Sequence, residues 1–516
     1  MSGKKLNLNT WLMANASPKP IAILALVAFT SFLFNMFLSK TLDTDMHFLI
    51  ATGREIISNG IPDKNIWIID SNALIIVQQW LYCVAVAYVD GIGIWGNYLF
   101  VLIQLIIFGL ILYKFCRNYD LSPVASLFCI LISFAIGNSY VFSIRPQLIT
   151  LILLFLECLA LEKWVKTDKW IWLICLPIST LIEANVHSSM WPMHFAVLLA
   201  YFVPSFYYRK ANNESILKKW KLLIPTSILM FLSLLINPYG WNGIIYTFRF
   251  FSSKTSKYIA VSEHQLPYII SGAGFVIAVS AIMIYYATKH KTLSSVSVNI
   301  AAGLLLLMVI SIHNQMFSIL VIMFLLRDAL ISFEKNENNK ILDSVKNYVY
   351  PFLILGIVGG VAISVRTFTS GGFSYYSYIM AMLNPVREYI DANYQEGDHI
   401  FTGFNTGAYF EYYGYKNIYM DARPELYTIE FNNEKNIIGD YARICVYGYS
   451  RVEDDKPDFV TEEEIENWLD EYDFRYLVVQ PREETYLNAY LMMNGDDYRI
   501  ISDVTSSDVI LYERVN

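Results

Sequence analysis

Charged side chains are scarce in this sequence, where they make up 16% of 516 residues against about 25% in soluble domains. Hydrophobic residues make up 55%, and the mean hydropathy is +0.40. This balance argues against an ordinary water-soluble protein and indicates a chain that folds largely in lipid. The charge is also uneven, because residues up to about 370 hold long apolar runs, while the remainder is dense in Asp, Glu, Tyr and Asn.

Patterned cysteines, a basic patch and a cleavage site are missing as well. The six cysteines are scattered without pairing or metal-ligand spacing, so neither a disulfide framework nor a zinc site is expected. The net charge of -7 arises mainly in the C-terminal segment, and no basic patch could neutralise phosphates, so nucleic acid is not an expected partner. No small-residue cleavage pattern follows the apolar run at 21–38, which is therefore expected to be a retained first span.

Apolar stretches of about 17 to 22 residues recur in the sequence, each long enough to cross a hydrocarbon core about 30 Å thick as a helix. They lie near residues 20–39, 95–113, 122–138, 147–162, 169–185, 191–206, 222–237, 269–287, 297–313, 315–331 and 348–367. With the N-terminus in the cytoplasm, the loops rich in Lys and Arg fall inside, as the positive-inside rule requires. Eleven spans then put the C-terminal segment on the outer face of the cell membrane.

The sequence therefore predicts two kinds of domain. Residues 1–369 are expected to form a polytopic α-helical membrane domain of about 11 transmembrane helices, with a large first extracytoplasmic loop at 40–93. Residues 370–516 are expected to form a soluble extracytoplasmic α/β domain. Its strand-like runs are 399–403, 417–421, 476–480 and 509–513, and its helical patterns are 385–393, 462–472 and 483–493.

The first loop has secondary-structure signals of its own. Residues 47–58 and 78–88 mix apolar and polar positions at helical spacing, as expected of amphipathic helices in the headgroup region. Between them, Gly60-Ile61-Pro62-Asp63 predicts a turn.

Acidic residues stand directly after the first apolar run. Asp43, Asp45 and His47 occupy alternate positions, so their side chains converge if the segment is extended. A carboxylate at the membrane surface can act as the general base that takes a proton from a sugar hydroxyl. The alternative is that Asp43 or Asp45 caps a helix beginning near Met46.

Polar residues at the ends of other predicted spans fall on the same outer side. Arg145 is the favoured ligand for a lipid phosphate, because a guanidinium donates two parallel hydrogen bonds. His187 and His313 are candidates for the same phosphate. Ionisable groups at membrane depth are costly and tend to mark functional paths, so Glu157 and Glu183 indicate either a buried polar network or a proton path. The other pocket candidates are His47, Asn185, Asn237, Glu263 and His264.

Several short motifs carry a family resemblance. Asp43-Thr44-Asp45-Met46-His47, followed by Gly53 and Gly60-Ile61-Pro62, resembles the first-loop pattern of the GT-C superfamily of polytopic glycosyltransferases. Gln79 and Met46 depart from that pattern, since an acidic residue before Trp-Leu and aromatic residues before the His are common there. The other similar motifs are Gln79-Trp80-Leu81, Arg145-Pro146-Gln147, Asn185-Val186-His187, Asn237-Pro238-Tyr239-Gly240, Gly403-Phe404-Asn405-Thr406-Gly407-Ala408-Tyr409 and Met420-Asp421-Ala422-Arg423-Pro424-Glu425-Leu426-Tyr427.

The resemblance implies an enzyme that moves a sugar from a polyprenyl-phosphate-linked donor to an extracytoplasmic glycan, lipid or protein acceptor, with inversion. It implies a catalytic role for Asp45 together with Asp43. Mg²⁺ or Mn²⁺ held by these two carboxylates is compatible with the pattern and is not required by it.

Two other functions fit a polytopic chain with polar span ends. A transporter or flippase of lipid-linked saccharides would have polar groups near the midplane and symmetric broken helices. A non-catalytic membrane assembly factor would tolerate the loss of Asp43 and Asp45. In the tail, Asp421, Arg423 and Glu425 are consistent either with a surface sugar-binding cluster or with a salt-bridged turn after a strand.

Overall fold

The computed structural model describes residues 44–70, 72–136, 144–202, 213–252, 272–289, 294–310, 312–334, 358, 362, 365, 378–449 and 459–515. Two compact units divide the chain. The helical unit comprises Met1–Ser39, Asn97–Ile236 and Val261–Phe373, and the mixed unit comprises Lys40–Gly96, Asn237–Ala260 and Ser374–Asn516. The first loop at 40–93, predicted as part of the 1–369 domain, thus clusters with the C-terminal segment, which begins at Ser374 in this division.

Helices dominate the described residues. Up to residue 252 they are α1 (Thr44–Asn59), α2 (Trp80–Asp90), α3 (Ile94–Arg117), α4 (Pro123–Ile136), α5 (Gln147–Thr167), α6 (Cys175–Val186), α7 (Trp191–Phe202), α8 (Asn213–Leu234) and α9 (Trp241–Ser252). After residue 271 they are α10 (Gly272–Lys289), α11 (Ser295–Ile310), α12 (Ser318–Glu334), α13 (Tyr378–Asn393), α14 (Gly407–Tyr412), α15 (Ile437–Asp440), α16 (Glu462–Tyr472) and α17 (Thr485–Asn494).

The helices α3 to α8 and α10 to α12 lie at nine of the eleven predicted spans. The runs at 20–39 and 348–367 lie outside the described residues, apart from residues 358, 362 and 365. By length and composition, Trp95–Arg117 and Asn314–Ser332 are long and apolar enough to cross a membrane. The shorter apolar helices are Trp80–Asp90, Ala125–Phe134, Trp170–Val186, Lys221–Leu234, Val276–Tyr285 and Val296–Val309. The eleven-span topology stays a prediction.

An ion cluster is buried within the apolar core of the helical unit. Arg327 on α12 is 1% exposed, and its Nη1 donates to Glu162 Oε1 on α5 at 2.6 Å. Its Nη2 donates to Asp328 Oδ1 at 3.2 Å, and the Phe115 ring of α3 lies 4.2 Å from the guanidinium. Removing one partner of a buried ion pair costs about 3–5 kcal/mol, so this cluster holds α5 against α12.

The mixed unit is built on a four-stranded sheet of order β1-β2-β4-β3. The strands are β1 (His399–Phe401), β2 (Phe474–Val479), β3 (Tyr498–Ile500) and β4 (Ile510–Arg514). β1 and β2 are parallel, while β4 runs antiparallel to both of its neighbours. The residues of β2 are almost all buried, as expected for a central strand covered on both faces.

The first loop extends this sheet beyond β1. Ile418 forms parallel bridges to Ile400 of β1 on one side and to Ile68 on the other. The Ile69 amide donates to Ile418 O at 3.0 Å, and the Ile418 amide donates to Trp67 O at 3.0 Å. These hydrogen bonds are the physical reason why the loop clusters with the C-terminal segment.

A close helix crossing joins α1 to α2 in the first loop. The crossing point is Gly53, where a Cβ atom would lie 1.9 Å from Cys83 O and 2.7 Å from Ala87 Cβ. Only glycine allows the two backbones to approach this far. At the end of α1, Gly60 has a φ of 92°, which gives the predicted turn a left-handed residue.

Candidate functional site

The acidic segment of the first loop is helical where the structure describes it. Asp45 lies in the first turn of α1, and its side chain is half-buried. Residues two apart on a helix do not face each other, so Asp45 and His47 do not converge as they would in an extended segment. The alternative of a helix starting near Met46 agrees with the start of α1 at Thr44. Asp43 lies outside the described residues.

His47 is part of an aromatic core. It is fully buried, and its ring packs edge-on against Tyr412 at 5.2 Å and Tyr409 at 6.0 Å, measured between ring centroids. Arg54, two turns further along α1, stacks 4.5 Å over the Tyr412 ring and donates to Asp90 Oδ2 at 2.8 Å. These contacts fasten α1 to α2 and to α14 of the tail.

A cluster of polar side chains around one arginine, Arg423, lies against the buried side of α1. Arg423 donates two parallel hydrogen bonds to Glu411, from Nη1 to Oε1 at 2.7 Å and from Nη2 to Oε2 at 2.6 Å. Its Nη1 also donates to Asp421 Oδ2 at 2.5 Å, and its Nη2 donates to Thr52 Oγ1 at 3.1 Å. The Trp67 ring lies 4.1 Å from the guanidinium carbon.

The burial of Asp421, Arg423 and Glu425 distinguishes between a surface sugar-binding cluster and a salt-bridged turn. Asp421 is fully buried, Arg423 is 3% exposed and Glu425 is 4% exposed. The salt-bridged alternative therefore holds, and a surface sugar-binding cluster does not.

Burial also raises the pKa of two acids in this cluster. It raises the pKa of Glu411 well above its ordinary value, while Arg423 pulls the pKa down and Asp421 pushes it up. Burial raises the pKa of Glu425 to about 7. With a pKa of about 7, Glu425 is about half protonated at neutral pH, which limits the negative charge around Arg423.

A second buried acid lies at the carboxyl ends of β1 and β2. Glu484 accepts hydrogen bonds from the Tyr441 hydroxyl at 2.5 Å and from the backbone amide of Gln480 at 2.6 Å. A Cβ atom on Gly403 would lie 1.9 Å from Glu484 Oε1. Burial raises the pKa of Glu484 to about 7. Ligands of open α/β sheets bind at this edge, and here the Glu484 side chain occupies the space beside Gly403.

The phosphate candidates belong to the helical unit. Arg145 precedes α5 by two residues, and its side chain is half-buried. The amide groups at a helix start favour an anion, so this end of α5 suits the proposed ligand. His313 lies in a 3-10 turn, Ile312–Phe317, and its side chain is outside the described part.

His187 stands at the C-terminal end of α6 and is 5% exposed. Its Nδ1 lies 2.8 Å from Thr150 Oγ1 on α5 and 3.8 Å from Glu183 Oε1. Thr150 Oγ1 in turn donates to Glu183 Oε1 at 2.7 Å. The structure thus joins one candidate, His187, to a buried carboxylate through a single hydroxyl.

A second histidine continues this chain of groups. His194 on α7 is fully buried, with Nδ1 2.9 Å from Glu157 Oε1 and Nε2 3.4 Å from Glu183 Oε2. Glu157 and Glu183, each fully buried, therefore belong to one polar network in the helical unit. The sequence placed both acids in spans, but it gave no sign that His194 bridges them.

The two asparagine candidates form hydrogen bonds with backbone groups. Asn185 Nδ2 donates to Leu181 O at 2.8 Å and to Ile236 O at 2.9 Å. Asn237 Oδ1 accepts from the Tyr239 amide at 2.8 Å, in the turn before α9. Such asparagines terminate helices and shape turns.

Other candidates remain untested by the structure. Glu263 and His264 lie outside the described residues, so their places as pocket candidates stay predictions.

Thr52, Glu411 and Thr150 were not singled out from the sequence. Thr52 reaches Arg423 across 371 residues of chain, and Thr150 reaches Glu183 across 33. A local pattern carries no signal for such pairs.

Within the described ranges, no group of three or more His, Cys, Asp or Glu side chains is arranged to hold a metal ion. Two carboxylates at positions 43 and 45 would hold Mg²⁺ or Mn²⁺ only with further oxygen ligands.

No protein-family model and no curated protein sequence matches the chain.

Proposed function

We propose that this chain is a GT-C-type glycosyltransferase of the cell membrane, with a cytoplasmic N-terminus and an extracytoplasmic C-terminal domain. It moves a sugar from a polyprenyl-phosphate-linked donor to a glycan, lipid or protein acceptor. The observation that carries the proposal is Asp45, a half-buried carboxylate at the start of α1, while the residues that follow it, 46–51, are all buried. An acid placed in this way, directly after an apolar run, suits a general base beside a bilayer.

In the proposed reaction, Asp45 takes the proton of the acceptor hydroxyl as its oxygen attacks the anomeric carbon of the sugar. The bond from that carbon to the phosphate oxygen breaks, and its electron pair leaves with the phosphate. Attack from the opposite side inverts the configuration. Arg145 binds the phosphate through charge-assisted hydrogen bonds, and His187 and His313 are further ligands for it.

The test compares two Asp→Asn substitutions in the same loop. Asp45→Asn removes the base, whereas Asp63→Asn makes the same change at an exposed side chain after the Gly60 turn. Purified variants are incubated with a radiolabelled polyprenyl-phosphate sugar, and transfer to the acceptor is counted. Asp45→Asn should lose roughly 10²- to 10⁴-fold in rate with normal expression. Full activity in that variant removes Asp45 from the mechanism.

Donor and acceptor are identified by a separate measurement. Mass analysis of lipid-linked sugars and envelope glycans, with and without the gene, should reveal an accumulating donor when the gene is absent. Unchanged pools of every lipid-linked sugar would contradict transfer from such a donor.

A second function is favoured by the buried acids of the helical unit. Charge pairs within apolar helices are typical of proton-coupled transport, and Glu157, Glu183 and His194 form such a network. A transporter or flippase of lipid-linked saccharides would move a labelled substrate across proteoliposomes and leave its glycosidic bond intact. A non-catalytic assembly factor would keep its role when both Asp43 and Asp45 are replaced by Asn.

A further inference from the structure

The network around His187 has a defined hydrogen-bond direction. A threonine hydroxyl carries one proton, and in Thr150 this proton is donated to Glu183 Oε1. The same oxygen lies 2.8 Å from His187 Nδ1 and can only accept there. The proton between Thr150 and His187 therefore belongs to Nδ1 of the imidazole.

The direction of this hydrogen bond selects one tautomer of the His187 ring. A neutral imidazole has a single N–H, so a proton on Nδ1 leaves the basic lone pair on Nε2. The hydrogen bond at Nδ1 thus determines that Nε2 is the ring nitrogen able to accept a proton.

His194 lies between the two acids of the network. Its Nδ1 is 2.9 Å from Glu157 Oε1, and its Nε2 is 3.4 Å from Glu183 Oε2. The charge of a doubly protonated imidazole at this place would be compensated by the two acids. The Cys175 thiol is a further titratable group within electrostatic range of Glu157.

We infer that Glu157, His194, Glu183 and Thr150 are positioning residues that hold the proton of His187 on Nδ1 and make its Nε2 a proton-exchanging atom. Glu183 is the central member, because one of its oxygens faces His194 and the other accepts from Thr150. The four groups come from α5, α6 and α7, so packing of these three helices sets the ring orientation.

The role of this atom in catalysis rests on the proposed function. In its protonated form, His187 can give its Nε2 proton to the phosphate oxygen as the carbon–oxygen bond breaks, and it is left neutral with Nδ1 still protonated. A proton from solvent then restores the ring for the next turnover. The ring form itself is independent of any transfer reaction and can be measured without substrate.

The experiment is nitrogen NMR of the full chain, labelled with ¹⁵N-histidine, in detergent micelles. The chain has seven histidines, and the His187 signals are those that vanish in His187→Asn. The wild type should show His187 protonated on Nδ1. A wild-type His187 protonated on Nε2 alone overturns the inference.

Two variants test the direction of the hydrogen bonds. In Glu183→Gln an amide N–H can donate to Thr150, which then donates to His187, so the ring proton should move to Nε2. Thr150→Ser keeps the hydroxyl and should keep the wild-type signals. A Glu183→Gln spectrum identical to the wild type overturns the inference; if this variant does not fold, the wild-type and Thr150→Ser spectra still decide it.

A transfer assay on the same variants separates this inference from the proposed function. If His187 protonates the leaving phosphate, Glu183→Gln should lose roughly tenfold or more in rate and Thr150→Ser should lose little. A ring proton that moves to Nε2 with no change in transfer rate supports the network and contradicts the role of His187 in the reaction.

Discussion

Replacing Arg423 with Met should destabilise the mixed unit by about 3–5 kcal/mol, the usual cost of leaving buried acids without their cation. The arginine is 3% exposed and binds Glu411, Asp421 and Thr52 at 2.5 to 3.1 Å. Methionine fills most of the same volume and can pack on Trp67, so the loss is mainly that of charge and hydrogen bonds.

Amide hydrogen exchange of the full chain measures this loss where it occurs. Peptides that cover 399–427 should exchange roughly 10²- to 10³-fold faster in Arg423→Met, since each 1.4 kcal/mol is about a factor of ten. Arg423→Lys is the matched control, because it keeps the charge, loses the two parallel bonds and should fall between. Glu411→Gln should speed exchange by less than Arg423→Met does, because Asp421 and Thr52 still accept hydrogen bonds from the arginine. Exchange in Arg423→Met within a factor of about three of the wild type would refute the reasoning.

Two further substitutions test packing and pH dependence. Gly53→Ala should lower the melting temperature, because its Cβ would lie 1.9 Å from Cys83 O and overpacking costs about 1–3 kcal/mol. The control is Gly303→Ala, which lies on an exposed helix face where a Cβ has nothing within 4 Å, and it should not lower the melting temperature. Glu484 has its folded-state pKa raised from 4.5 to about 7, so the folded state holds the proton more tightly and the free energy of unfolding falls as pH rises through that window. The free energy of unfolding of Glu484→Gln should therefore gain on that of the wild type by about 2.5 kcal/mol between pH 5 and pH 8. Melting curves with an equal difference at both pH values would contradict this.

Local patterns predicted most of the helices and strands among the described residues. Helices α1 and α2 lie where the spacing of apolar residues predicts them, and β1 and β2 lie at the predicted strand-like runs. The predicted strand at 417–421 forms isolated bridges through Ile418 and not a regular strand. Period and turn residues report on the local backbone, and here they located it well.

Long-range partners could not be predicted in this way. The spacing of Asp45 and His47 suggested a shared site, yet the helix turns them apart, and His47 packs on two tyrosines of the tail. The two tail motifs also pack on each other: the Thr402 hydroxyl donates to Met420 O at 2.7 Å, and a Cβ on Gly407 would lie 2.0 Å from the same oxygen. Such pairs depend on how distant segments meet, about which a single sequence holds no local signal.

The bridge between Ile68 and Ile418 has a consequence for biosynthesis. The second residue is translated 350 positions after the first. At about 5–20 residues per second, the earlier segment waits on the order of 20–70 s at the ribosome before its neighbour emerges. During that interval the nascent Trp67–Ile69 backbone lacks its sheet partner, which makes chaperone binding to this stretch an expected stage in the maturation of the protein.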